Sequence, residues 1–430
     1  MCRLFGLSEE HLEEIFYRAK CSDSYPIIFN FIINIMFSAE KFTNSYLYIS
    51  LIFGVFLYDF IGKNFGFTYT DELLMAVLLV YGIKYGQYGK EAKLVLILFV
   101  FYVIYSLLWG VACKEAIFTD ALIFMKPFVG LYVSIGMGLT LDDIDKERIR
   151  KLVIVLFVIS LGFCAISYNY FASDFMGHPS RIATLFQILG VTYFYCSERT
   201  KRDIIITMVI FCCSLLSFRS KSYAFVAAAF FIIFYLNASR LERFSLSGLI
   251  IILLGVSMMF MVAWEKFYFY FVTGSNSELS ASFARPALYQ GAFWIMNDYF
   301  PFGSGFGSYA CYASGVYYSP IYYQYGLDVV QGLDEYEGAF ISDTFFPQIA
   351  QFGVVGLFLF ILFFVIRYKE IVRNSTINND VLLMKMSILI LLFFLIESSV
   401  DSTFVHNRGM VMMMLWGMLI NESNEKTYMS

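Results

Sequence analysis

Apolar runs near the length of a bilayer-crossing helix recur along almost the whole chain. They fall near 45–62, 71–84, 93–112, 116–139, 150–171, 181–196, 203–218, 222–236, 246–264, 347–366, 381–397 and 408–420. A helix needs roughly 17–25 residues to cross the hydrocarbon of a membrane. Several runs are shorter, and 24–38 reads as an interfacial helix or one more span. The runs are continuous rather than alternating with period two, which selects helices over a closed barrel. Charged residues make up 15% of the 430 positions and hydrophobic ones 59%, against about 25% charged in soluble chains. The expected fold is an all-α polytopic integral membrane protein of about twelve transmembrane helices.

Lysine and arginine in short loops orient such a chain. The stretches 84–93, 142–151, 197–203, 237–243 and 367–373 are all basic, and with these spans all fall on one side together with Arg3, Arg18 and Lys20. Both termini are then cytoplasmic. The first 20 residues form a charged amphipathic stretch without the apolar core of a cleavable signal peptide. The expected organisation is an N-terminal segment (1–44), a bundle of about nine helices (45–264), a long extracytoplasmic loop between spans nine and ten (265–346), C-terminal helices (347–420) and a cytoplasmic tail (421–430). The long loop is rich in Tyr, Phe and Gly, which is not a disordered composition. It reads as a folded cap.

Five cations run against the loop rule. Arg219 and Lys221, in "SFRSKS", sit at the outer tip of a hairpin; Arg181, Arg285 and Arg408 also fall at outer helix ends. Each alone fits a side chain that snorkels to the headgroups or pairs with a carboxylate. Together they fit a phosphate site, because guanidinium groups grip phosphate in a planar fork. Lys126 lies near the middle of its span, just before Pro127. It is either functional or paired with a carboxylate or a freed carbonyl.

Eight Cys and three His without a C-x-x-C pair argue against a zinc or redox centre. Cys113 and Cys311 both fall outside, but sequence alone cannot supply disulfide geometry. "PFGSGFGSY" (301–309) is glycine-rich but lacks a Walker lysine and a strand-to-helix setting. It reads as a turn or as a floor for sugar. The tyrosines of 308–326 fit an interfacial belt or stacking platforms.

Four stretches carry a family likeness: "YDFIGKNFGFTYTDELLMAVLLV" (58–80), "LLSFRSKSYAFVAAAFF" (215–231), "RPALYQGAFWIMNDYFPFGSGFGSYA" (285–310) and "ISDTFFPQIAQFGVVGLFLFILFF" (341–364). With them the chain resembles the O-antigen polymerase and ligase superfamily, most of all Wzy-type polymerases of O-antigen or capsule repeat units. Ligases of that superfamily carry a histidine in the long outer loop. Here 265–346 contains none, and Asp343 stands before the returning span. His178 and His406 lie in other outer connectors.

The resemblance implies glycosyl transfer from undecaprenyl pyrophosphate to a hydroxyl of another lipid-linked repeat unit, at the outer face of a bacterial cytoplasmic membrane. It implies no metal and no cofactor, and no nucleic-acid partner. Membrane lipids, a chain-length regulator and a flippase are the implied company. Arg219, Arg285 and Arg181 are the implied pyrophosphate binders, with Lys221 and Arg408 as further substrate contacts. Asp343 is the first choice of base, although Asp is also a favoured helix cap. Glu335, Glu337, Glu397 and Asp401 compete for that role and as substrate contacts. A ligase differs only in its acceptor. A flippase of the same lipids should show internal repeats, and none is evident.

Overall fold

The computed structural model describes residues 39–65, 69–235, 283–377 and 381–429. Among them there are helices and no strand. In chain order these are α1 (Ala39–Ile49), prolonged by a π-helical stretch at Ser50–Phe56, α2 (Tyr58–Phe65), α3 (Thr70–Tyr85), α4 (Lys90–Trp109), α5 (Lys114–Gly136) and α6 (Asp143–Ile166). There follow α7 (Pro179–Cys196), α8 (Lys201–Cys213), α9 (Ser220–Tyr235), α10 (Ala284–Asp298), α11 (Tyr312–Val316) and α12 (Pro320–Gln324). The chain closes with α13 (Gly353–Ile377), α14 (Val381–Ser398) and α15 (Asn407–Met429). Each expected run within the described residues is mostly helical, with 45–62 divided between α1, the π-helical stretch and α2, and 203–218 running past α8 into a short turn of 3-10 helix. The run 246–264, the segment 24–38, the basic stretch 237–243 and the loop up to 282 lie outside the described residues.

Among the described residues, five helices are long and apolar enough to cross a membrane: α4, α5, α6, the stretch Phe346–Glu370 and α14. A sixth is added if the pair Phe42–Phe56 and Tyr58–Asn64, bent by 57°, is one broken span. α3, α8 and α9 have 16, 13 and 16 residues, short for a full crossing at about 1.5 Å per residue.

Local signals set the helix ends. Asp142 opens α6 by accepting the N–H of Asp145 (2.6 Å). Thr200 and Asp203 open α8 with a reciprocal capping box, N–H of Asp203 to Thr200 Oγ1 at 3.3 Å and N–H of Thr200 to Asp203 Oδ2 at 3.0 Å. Burial then sorts the helices. α7 is buried from Ile182 to Cys196 and α15 from Asn407 to Ser423, the mark of helices enclosed by others. α15 packs closely on α5 because glycines face backbone: a Cβ on Gly130 would lie 2.6 Å from the Met410 carbonyl oxygen, and one on Gly417 2.8 Å from that of Leu131. α4 is the opposite case, with 11% of its span buried.

The two ends differ in charge. At one end Lys146 and Arg199 share Glu422 (3.4 and 3.0 Å), Arg367 pairs with Glu91 and Glu370, and Asn44 donates to Asp145. This basic end gathers the loops at 84–93, 142–151, 197–203 and 367–373. The other end carries a cap built from 283–345. Its core contains Leu288, Ile295, Tyr309, Tyr322, Leu333 and Ile341.

The glycine-rich stretch is the seat of that cap. Phe306 N–H donates to Ser106 Oγ (2.8 Å), Gly307 N–H to Asp120 (2.9 Å), and Tyr105 OH to the Gly303 carbonyl (2.8 Å). Gln348 and Gln351 donate to the same Asp120 at 3.0 and 2.8 Å. Gly307 has φ +73, and a Cβ there would lie 2.6 Å from Ala116 backbone. Residues 303–311 are buried, so the stretch is a turn that seats the cap and presents no floor to a ligand. Cys113 and Cys311 are free.

Candidate functional site

At and beneath the cap, helix ends and their connectors bring most of the predicted cations together. α7 begins at Pro179 with His178 as its N-cap, and α9 begins at Ser220, directly after Arg219. α14 ends at Ser398, and a short turn at Thr403–Val405 leads into α15. α10 begins at Ala284 and carries Arg285. Charges therefore collect where helices start and stop.

Three ion-pair groups build this cluster. In the first, Lys221 Nζ lies 2.5 Å from Glu397 Oε2 and 3.1 Å from Asp401 Oδ2. Ser180 Oγ and Thr403 Oγ1 donate to Asp401 at 3.0 Å each. Lys221 and Glu397 are buried. They were expected to touch substrate, but they satisfy each other instead, because neither charge tolerates burial alone. Burial would raise the Asp401 carboxyl; the Lys221 ammonium more than offsets it, and the group is held below the usual carboxylate range.

In the second, Arg285 Nε lies 2.6 Å from Asp343 Oδ2, and its Nη2 lies 3.4 Å from the Val400 carbonyl. Both residues are partly exposed. Asp343 caps no helix: the turn that follows is capped by Phe345 without a side-chain bond. Burial outweighs the Arg285 guanidinium and raises the Asp343 carboxyl. Asp401 and Lys221 lie within electrostatic reach of it, which joins the first two groups.

In the third, Asp59, at the break between α1 and α2, accepts from Arg181 Nη1 (2.6 Å) and from Arg408. Arg408 is buried, whereas Arg181 is partly exposed. Arg408 is thus a tie between the broken helix and α15. Nearby, Lys126 sits 2.5 Å from both Asp71 and Glu72, and Tyr58 OH donates to Asp71 (3.1 Å). The mid-span lysine has its carboxylate partners, one expected alternative for it.

Two side chains remain open. Arg219 makes no ion pair among the described residues; its Nη2 lies 3.3 Å from His178 Nε2. His406 is exposed, and Asp401, Lys126, Arg181 and Asp71 act on it electrostatically. The exposed ring therefore stands among the charges of the three groups. Neither histidine was among the expected site residues. The Pro at the first position of α7 was a signal for His178, since proline there makes the preceding residue the cap.

Glu335 and Glu337 are not brought to this cluster. Both are exposed; Glu335 accepts from Tyr323 OH (2.7 Å) and the Glu337 N–H donates to Asp334 (2.7 Å), all within the cap. Of the predicted tyrosines, Tyr309 and Tyr322 are cap core, while Tyr312, Tyr317 and Tyr323 are exposed. No family model, no curated protein and no solved structure matches the chain.

Proposed function

We propose that the protein polymerises undecaprenyl-pyrophosphate-linked oligosaccharide repeat units at the outer face of a bacterial cytoplasmic membrane. In this reading the chain makes about twelve crossings, the basic end faces the cytoplasm with both termini, and the cap faces outward. The observation that carries it is the cluster itself: Arg219 without a carboxylate partner among the described residues and partly exposed Arg181 beside the cap, with Arg285 and Asp343 on the cap. Such a constellation suits a donor whose leaving group is an anion and whose acceptor is a hydroxyl.

The acceptor oxygen attacks the anomeric carbon of the donor sugar as the bond from that carbon to the pyrophosphate oxygen breaks. The bonding pair leaves with the pyrophosphate, and the guanidinium groups stabilise the charge as it develops. The acceptor proton passes to Asp343, whose raised carboxyl is a better acceptor than an ordinary one. Arg285 orients that carboxylate through one oxygen. Lys221, Glu397, Asp401, Arg408 and Asp59 hold the frame. No step calls for a metal or cofactor.

The test is a strain lacking the gene, complemented with wild type, Arg219→Ala or Asp343→Asn at matched protein levels, with surface polysaccharide resolved as a ladder. The expected result is single-repeat glycans in the deletion, a ladder with wild type and none with either variant. Complete loss of glycan attachment with lipid-linked polymer accumulating would identify a ligase. An unchanged ladder in the deletion would remove both enzyme readings and leave a flippase.

A further inference from the structure

His178 is fixed in one tautomer by the helix that it caps. The Ser180 backbone N–H donates to Nδ1 (3.2 Å), and a backbone N–H can only donate. Nδ1 therefore carries a lone pair. Burial, then the charges of Arg219 and Arg181, lower the ring's pKa, with Lys221 acting in the same direction and Asp401 opposing. The neutral ring keeps its one proton on Nε2.

That nitrogen lies 3.3 Å from Arg219 Nη2, which is also a donor. Two N–H groups at this distance cannot satisfy one another. Neither side chain has a carboxylate partner among the described residues. His178 is exposed and Arg219 partly so, so the pair opens to solvent. Both stand immediately before helix starts, α7 at Pro179 and α9 at Ser220, where the helix dipoles add positive potential. What fits between two such donors is one atom with two lone pairs and negative charge.

We infer that His178 Nε2–H and Arg219 Nη2–H together bind one phosphate oxygen of the lipid pyrophosphate, the histidine acting as an uncharged donor. The inference rests on the function proposed above and adds a residue from a connector outside the long cap. An uncharged donor next to Arg219 grips the oxygen without adding like charge to a cluster that already holds Arg181 and Lys221.

The experiment uses the full chain in phosphatidylcholine nanodiscs and a fluorescent prenyl pyrophosphate. His178→Phe keeps the shape but not the donor, and is expected to weaken binding by about tenfold or more. His178→Gln supplies both an acceptor for the Ser180 N–H and a donor, and is expected to stay within about threefold of wild type. Wild-type affinity should be flat from about pH 6.5 to 8, because the neutral ring does the donating. Wild-type affinity in His178→Phe, with the variant eluting as wild type on size exclusion, would overturn the inference alone. So would affinity that drops about tenfold per pH unit above pH 6.5, the sign of an obligatory imidazolium. Absence of prenyl pyrophosphate binding by wild type would remove the proposed function with it. Inorganic pyrophosphate should compete and phosphatidylglycerol should not; equal competition by phosphatidylglycerol would make this a phosphodiester headgroup site and overturn the pyrophosphate assignment.

Discussion

Asp343 gives one carboxylate oxygen to Arg285 and sits where burial raises its carboxyl. A base of that kind loses activity as pH falls through its raised value. Arg285 pulls that value down, so Arg285→Met should move the acid limb of the rate profile to higher pH. A pH–rate series on purified protein checks this; an unmoved limb would remove Asp343 as base. Lys221 poses a question of stability. It is the cation that holds two carboxylates, Glu397 buried and Asp401 partly so. Lys221→Met strands them and should cost about 3–5 kcal/mol, with part recovered by adding Glu397→Gln. The sign with pH follows from Asp401. Its depressed pKa in the wild type gives stability that is present above about pH 3.9 and lost as pH falls through the folded value. In the variant that ammonium is lost, while the Ser180 and Thr403 hydroxyls stay on the carboxylate, so the folded value rises toward the unfolded one. The stability that Asp401 adds to the wild type as pH rises toward about 3.9 is then reduced, and the gap in melting temperature between variant and wild type should widen from about pH 2 to 4.

The cap depends on a few backbone atoms fitting into α4 and α5. Gly307→Ala introduces a Cβ 2.6 Å from Ala116 backbone at φ +73, so both space and backbone oppose it. Gly138, at φ +62 with open space around its Cβ, is the control: alanine there meets only the backbone cost of about 1–2 kcal/mol. Limited proteolysis should cut the cap faster in Gly307→Ala and leave Gly138→Ala like wild type. Equal cutting would show that the seat does not hold the cap. The helices themselves were legible because continuous apolar runs and capping residues are local signals. Lys126 was visible as an anomaly, but its partners Asp71 and Glu72 lie 55 and 54 positions away, and only packing brings them together. The same is true of Asp59, which waits at a helix break that no proline marks, and of Asp120 under the cap. The glycines of 301–309 form a turn, one of the two roles their composition predicts; its burial on α4 and α5 is not written in their spacing.

At the scale of the whole molecule, described basic loops gather at one end, tied by Glu422 and Glu91, and arginines gather about the cap at the other. Cys113 is exposed beside the cap's seat, at the start of α5. A variant keeping it as the sole cysteine should react with an impermeant maleimide added to intact cells of a strain without an outer membrane. Labelling only after lysis would reverse the proposed orientation. α4 has a further consequence here. Its flanks are open, with Leu96, Ile97, Val100 and Ile104 all exposed, so most apolar substitutions there should pass unnoticed. Yet it is gripped at both extremities, by Arg367 on Glu91 at one and by Tyr102, Tyr105 and Ser106 on the cap's seat at the other. Its 20 residues act as a strut of about 30 Å that gauges the separation of the two ends. One inserted residue in the middle would advance the far grip by about 1.5 Å and turn it by about 100°, so that both grips could not close at once. This helix is indifferent to what its residues are and strict about how many there are.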